Sequence, residues 1–198
     1  MRRKTEAKRT QILEGAARVF QQRGYHGTTL NDVAREVGCS KVTIYNYFES
    51  REDLLKAIIV QGSRPTMDYL AAALRGEGSL IDRLKTFART YLILVMNDYS
   101  LAMMRLMIAE SANHKFSQMF ADGSEHDIWQ HVRLAIESGT QGRSSSIDAG
   151  ELSRSLRSLL HGGSHFQCLI GAQTGPQMEA LLAEADTAVD LISTRLNV

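Results

Sequence analysis

Lys41, Val42, Thr43, Asn46 and Tyr47 place an ammonium, an isopropyl group, a hydroxyl, an amide and a phenol within one short stretch, Lys-Val-Thr-Ile-Tyr-Asn-Tyr. At helical spacing Ile44, Tyr45 and Phe48 form a buried stripe and those five side chains point outward. A face that mixes donors, acceptors and a small apolar group suits a nucleic-acid groove, where phosphates, base edges and thymine methyls are met together. Such a face needs a rigid mount. Thr29 is a candidate N-cap for a preceding helix that buries Leu30, Val33, Ala34 and Val37, Gly38 ends that helix in a left-handed turn, and Ser40 caps the next. Two short helices joined by a glycine turn are the layout of a helix-turn-helix.

The elements around this pair are also helical. The chain holds only two prolines, Pro65 and Pro176, and shows almost no alternating β-branched runs, so strands have little support. A helix from about Glu6 to Arg23 carries Ile12, Leu13, Ala16, Ala17 and Phe20 on one stripe and stops at Gly24, completing a three-helix unit. Ser50 begins a fourth helix with Leu54, Leu55, Ile58 and Ile59, which bends near Pro65 and ends before Gly76. Beyond it, apolar helices are expected over Leu80–Met96, from a Ser100 cap to about Ala112, and over Lys115–Ser138 with a break at Asp122-Gly123. The pattern closes with a helix from an Asp148/Glu151 capping box to about Gly171 and a final helix with Pro176 in its first position. The expected organisation is all-α, with a DNA-binding domain over 1–50 and a helical effector-binding and dimerisation domain over 51–198.

Charge divides along the same line. Residues 1–50 carry nine Lys or Arg against five acids, whereas the remainder carries 14 against 17, within a chain of net charge +1. A basic first quarter on an acidic remainder is what one polyanion-binding end requires, although a solvated charged face also accounts for it. Two cysteines, Cys39 and Cys168, make neither a disulfide framework nor a four-thiolate site, which points to a reducing compartment. No signal peptide is evident, and no uninterrupted apolar run approaches the ~20 residues of a bilayer span, so a soluble cytoplasmic protein with no membrane partner is expected.

Phe20 to Leu55, through Gly24-Tyr25, Thr28-Thr29, Asp32-Val33-Ala34, Gly38, Ser40-Lys41, Thr43-Ile44-Tyr45, Tyr47-Phe48, Ser50 and Glu52-Asp53-Leu54-Leu55, closely resembles the N-terminal DNA-binding domain of TetR-family transcriptional regulators. It departs from the family's usual residues at Val42, Asn46 and Arg51, positions that bear on which operator is read. The resemblance implies that Thr28, Thr29 and Asn31 touch phosphate, with Asn31 also reaching a base. It implies that Lys41, Val42 and Thr43, directly after the cap Ser40, read bases, and that Tyr45, Asn46, Tyr47 and Arg51 contact phosphate. Tyr45, on the inner stripe, serves packing or a backbone contact.

The C-terminal part concentrates Met and aromatic residues. Phe87, Tyr91, Met104, Met107, Trp129 and Phe166 are candidate ligand-binding residues, since thioethers repack around differing shapes and aromatics add stacking or hydrogen bonds; core packing is the competing role for each. His161 and His165, like Glu110 and His114, stand four apart, but no third ligand follows from spacing, so no metal or other cofactor is expected. Gly162-Gly163-Ser164-His165 lacks the Gly-x-Ser-x-Gly pattern, and no catalytic residues are assigned. Small residues from Ser155 to Gly171, together with the apolar stripe Met178 to Leu196, suit a homodimer packed as a four-helix bundle, with burial inside one subunit as the alternative.

The reading that follows is a non-enzymatic, homodimeric transcriptional regulator, of the repressor type, that leaves a palindromic operator when a small apolar or amphipathic effector binds. The alternatives are an effector-dependent activator or corepressor-type regulator, or a helical enzyme or carrier.

Overall fold

The computed structural model describes residues 5–109, 111, 124–140 and 148–196, and all regular structure among them is α-helical. The described helices are α1 (Glu6–Arg23), α2 (Leu30–Val37), α3 (Lys41–Tyr47), α4 (Arg51–Arg75), α5 (Leu80–Val95), α6 (Asp98–Ala109), α7 (Ser124–Gly139), α8 (Ala149–Gly162), α9 (Ser164–Leu169) and α10 (Met178–Ser193). They belong to two compact units that divide between Arg64 and Pro65. The division expected after residue 50 falls later because Leu54 and Ile58 of α4 are buried in the first unit's core.

In the first unit, α1 begins at the Thr5 hydroxyl, which accepts from the Lys8 N–H, and stops where the Gly24 N–H returns to the Phe20 carbonyl. Ile12, Leu13 and Ala16 of α1 meet Leu30, Val33, Ala34 and Val37 of α2, Ile44 of α3 and Phe48. Gly15 is what lets α1 and α2 approach: a Cβ there would overlap the Val37 Cγ2. Asp32 ties the corner together. Its carboxylate accepts from the Thr29 N–H and hydroxyl, and it pairs with Arg23 at 3.0 Å and Arg35 at 3.5 Å. The Thr29 bonds, then the two arginines, hold its carboxyl below the ordinary aspartate value.

In the second unit, α5 packs on α10 and α7 on α8, with Leu84, Phe87, Leu92, Ile128, Val132, Ile136, Leu152, Leu156, Leu160, Ala185 and Val189 among the buried residues. Arg89 makes two bonds to Asp186 and Lys85 reaches Asp190 at 2.7 Å, so the α5–α10 contact carries an ionic edge beside its apolar one. Among the described residues no single helix is long and apolar enough to cross a membrane.

Several expected boundaries move, each for a local reason. α4 ends at Arg75, before Gly76 as expected, with Pro65 inside it leaving the Gln61 carbonyl without its N–H. α6 starts at Asp98 because the Asn97 side chain, not Ser100, is the cap: its oxygen accepts from the Ser100 N–H at 2.9 Å. Asp148 caps α8 as expected, but the helix breaks at Gly163 instead of continuing to Gly171, and Glu184 of α10 accepts from the Ser164 N–H there. Pro176 precedes the Gln177 N-cap of α10 and lies outside the helix. The Asp122-Gly123 break lies outside the described residues, as do Glu110 and His114.

Two outcomes follow. Gly15→Val should cost about 1 to 3 kcal/mol, the usual effect of overpacking, whereas Gly62→Ala, whose new methyl meets open space in mid-helix, should gain about 0.4 to 1 kcal/mol; urea denaturation compares them, and a neutral Gly15→Val would refute the close approach. Asp32 contributes stability that is fully present above the unfolded aspartate value of about 3.9 and lost as pH falls through its lower folded value. Thermal melts of Asp32→Asn should therefore lie below wild type at pH 7 and converge with it in acid; a gap of constant size would contradict the assignment.

Candidate nucleic-acid interface and a helical-domain cavity

Gly38 adopts φ 64° and ψ 42°, the left-handed geometry that turns the chain after α2, and the following Cys39 N–H closes on the Ala34 carbonyl at 2.9 Å. Ser40 then starts α3, its oxygen accepting from the Thr43 N–H at 3.0 Å and pairing with the Thr43 hydroxyl at 2.8 Å. Ile44 and Phe48 are buried, which fixes which way the rest of α3 faces. Lys41, Val42, Tyr45 and Asn46 are exposed and Thr43 is half-buried. Val42, at 69% exposure, is an apolar side chain with no packing role. The Lys41 ammonium lies 5.5 Å from the Tyr45 ring centroid, close enough for a cation–π contact.

The two tyrosines exchange the roles expected of them. They flank the Ile44–Phe48 stripe at equal angles, so sequence spacing alone does not choose between them. The start of α1 decides: the Thr5 N–H donates to the Tyr47 hydroxyl at 2.9 Å, drawing Tyr47 half under cover against the core while Tyr45 faces outward.

Thr28 and Arg51 depart from the expectation of phosphate contact. Thr28 is 1% exposed, and its hydroxyl donates to the Gly24 carbonyl at 2.8 Å, so it closes the α1–α2 connection and presents no side chain outward. The Arg51 guanidinium donates to the carbonyls of Tyr25 at 3.2 Å and Thr28 at 3.4 Å, and lies 4.0 Å over the Tyr25 ring. Tyr25 in turn donates to Glu52 at 2.6 Å; burial and that bond push its phenol up to about 12. Thr29 is exposed, with its hydroxyl engaged in the α2 cap, and Asn31 is exposed in the first turn of α2. The outward set is therefore Thr29, Asn31, Ser40, Lys41, Val42, Tyr45 and Asn46, with Thr43 partly covered. A helix of seven residues is about 10 Å long, within the roughly 12 Å width of a DNA major groove.

The helical unit separates the six candidate ligand residues. Phe87, Tyr91 and Trp129 are buried against one another, with ring centroids 5.1 to 5.8 Å apart, and serve the core. Met104 and Met107 line a cavity of about 390 Å³ whose other described walls are Arg157, Ser158 and His161. Phe166 lies outside that lining and is 48% exposed. Of the three α8 residues, His161 stood out by its spacing from His165 and Ser158 by its size, neither as a ligand contact, and Arg157 was missed because its type signals a solvated face. His161 links cavity to core: one ring nitrogen is 2.8 Å from the Tyr91 hydroxyl and the other 3.2 Å from His165 Nδ1. Among the described residues no group of three side chains suited to a metal is assembled.

Gly163, expected at a contact between subunits, faces its own chain, where an added Cβ would overlap the Glu184 carboxylate; Gly162 faces open space. Near it, Leu159, Phe166 and Ile170 are exposed, Ile170 by 58%.

Residues 12–58 match the family model of bacterial regulatory proteins of the tetR family. The HTH-type transcriptional regulator TtgR of Pseudomonas putida is 35% identical over 116 residues, which cover 58% of this chain and 54% of that protein. The chain thus matches about half the length of this curated relative. Over nearly the whole length, a solved chain from Mesorhizobium loti superposes with TM-score 0.84 at 19% identity, covering 97% of this chain and 98% of its own. A TetR transcriptional regulator from Agrobacterium tumefaciens gives TM-score 0.70 at 26% identity, covering 96% and 94%.

The internal bonds of Arg51 set a prediction. Arg51→Lys keeps the charge but loses the planar guanidinium that lies over the Tyr25 ring while its Nη1 bonds both carbonyls, and should cost roughly 1 to 3 kcal/mol of stability, as lost charged hydrogen bonds do. Differential scanning calorimetry should show a lowered melting temperature; an unchanged melt together with weakened DNA binding would return Arg51 to phosphate contact.

Proposed function

We propose that this chain, which belongs to the TetR family of bacterial regulatory proteins, works in the cytoplasm as a homodimeric repressor that reads a palindromic operator through α3 and releases it on binding a small molecule in its helical unit. The observation that carries this reading is the exposed face Lys41, Val42, Tyr45 and Asn46 on a helix whose other side is locked by Ile44 and Phe48. Chemistry supports the assignment of roles. Lys41, at the start of α3, suits a base edge or phosphate, Val42 a thymine methyl, Asn46 an amide-reading or phosphate contact, and Tyr45 a backbone oxygen. The basic balance of residues 1–50 adds a field that draws polyanion to this end.

A seven-residue reading helix covers few base pairs, so operator recognition calls for two copies, spaced one helical turn apart at about 34 to 36 Å. The exposed apolar residues Leu159, Phe166 and Ile170, beside the small Ser155, Ser158 and Gly162, supply a surface for a second copy. The 390 Å³ cavity at Met104, Met107, Arg157, Ser158 and His161 is the effector site of this reading. An effector acts there by binding the DNA-released conformation better than the DNA-bound one, and the shift it can produce is limited by that difference.

Two substitutions test the parts. Lys41→Ala should reduce the preference for the selected operator over mutated operators by about 1 to 3 kcal/mol in fluorescence anisotropy titrations; an unchanged ratio with a shallower salt dependence would make Lys41 a phosphate contact only. Phe166→Glu with Ile170→Glu, at positions exposed in the single chain, should yield a folded monomer in sedimentation with operator affinity collapsed. A mutant that stays dimeric would place the subunit contact elsewhere.

A further inference from the structure

We infer that Tyr45 is a positioning residue for base reading: its ring holds the Lys41 ammonium at the start of α3, so that operator discrimination depends on the ring while the hydroxyl adds only sequence-independent affinity. This role rests on the preceding reading of α3 as the operator-reading helix.

Lys41 and Tyr45 stand four apart on α3, one turn from each other on the same face. Both are exposed, Tyr45 by 48%, and the Lys41 ammonium nevertheless lies 5.5 Å from the Tyr45 ring centroid, within the range of cation–π attraction. A helical side chain leans toward the N-terminus and covers the turn before its own Cα, which sets the Tyr45 ring over the turn that Lys41 opens. Lys41 is the first residue of α3 and has no earlier turn of that helix to lean on. The ring bounds a side chain that would otherwise sweep freely.

The place of this cation is unfavourable on its own. A helix N-terminus carries partial positive charge, which repels a cation and favours an acid, yet the first turn of α3 holds no acid. A carboxylate there would fix Lys41 firmly, but it would also cancel the charge and repel a polyanion. The negative face of the Tyr45 ring attracts the ammonium without cancelling its charge, and it leaves N–H donors for guanine O6 and N7.

Restraint matters most for a base contact. Lysine has one of the largest rotamer entropies of any side chain, and fixing it on one base edge costs that freedom. A restraint already present in the free protein lowers the cost at the moment of binding, which is preorganisation. A phosphate accepts from many directions and gains little from it; a base edge accepts from few, so the benefit falls on discrimination.

The test compares full-length Lys41→Ala, Tyr45→Phe, Tyr45→Leu and the double variant Lys41→Ala with Tyr45→Leu in fluorescence anisotropy titrations against the selected operator, mutated operators and random duplex. Tyr45→Leu should lower the preference for the operator about two- to fivefold, the worth of an exposed cation–π contact. Tyr45→Phe, which keeps the ring, should keep the wild-type preference, and its loss of the hydroxyl should weaken all duplexes alike. In the Lys41→Ala background, Tyr45→Leu should lower the preference no further. Proton NMR of the free protein gives a second readout: the Lys41 ε-methylene should be shifted upfield by the ring in wild type and in Tyr45→Phe, and not in Tyr45→Leu. Equal loss of preference in Tyr45→Phe and Tyr45→Leu, additive losses in the double variant, or no upfield shift would each overturn the inference. A preference lowered by Lys41→Ala but untouched by Tyr45→Leu removes the positioning role alone and leaves Lys41 reading bases; a preference untouched by Lys41→Ala removes the base-reading role and the positioning role together.

Discussion

A helix of seven residues does not hold itself together in water, because the cost of nucleating a helical turn exceeds what so few hydrogen bonds return. Everything that α3 presents to the outside depends on what holds its inner side. Ile44 and Phe48 are sunk in the core of the first unit, the Ser40 side chain fixes the first turn, and the Thr5 N–H bonds Tyr47 near the last. That anchoring in turn depends on α2 standing at one angle, which the left-handed turn at Gly38 and the Asp32 cap with its two arginines enforce. The outer face is consequently free of structural duty. Val42 and Asn46 serve no core, and their identities are available for recognition.

The helical unit follows a different logic, in which aromatic residues fill space and polar residues line it. Phe87, Tyr91 and Trp129 interlock at ring distances that favour edge contacts. The Tyr91 hydroxyl needs a partner at that depth and finds His161, which carries the polarity outward to the cavity wall. Small residues near the α8–α9 junction answer to packing inside the chain at Gly163 and to open space at Gly162, so the same sequence signal has two separate causes a residue apart.

What could be read from the sequence was whatever depends on neighbours in sequence. The limits of α1, the Thr29, Ser40 and Asp148 caps and the turn at Gly38 are local hydrogen-bond chemistry, and they stand where the residues place them. Arg51 illustrates what is not local: it is held by the carbonyls of Tyr25 and Thr28, brought near by folding, and carbonyls carry no mark in a sequence. Thr28 is held by the Gly24 carbonyl four residues back, equally unmarked by residue type. Tyr45 and Tyr47 flank the buried stripe symmetrically, and only the arrival of Thr5 from another helix distinguishes them. The break at Gly163 depends on Glu184, twenty-one residues away and on another helix. Aromatic and Met enrichment marked the helical unit correctly as apolar but did not separate core from cavity, since both draw on the same residue types.

The central claim is that two copies of the α3 face read one inverted-repeat DNA site, and selection of bound duplexes from a random pool by the full-length protein tests it most directly. The account predicts enrichment of a palindrome whose half-sites lie about 34 to 36 Å apart, one turn of the double helix. A pool that shows no enrichment after repeated rounds, or that yields a single asymmetric element with no repeat, would contradict it.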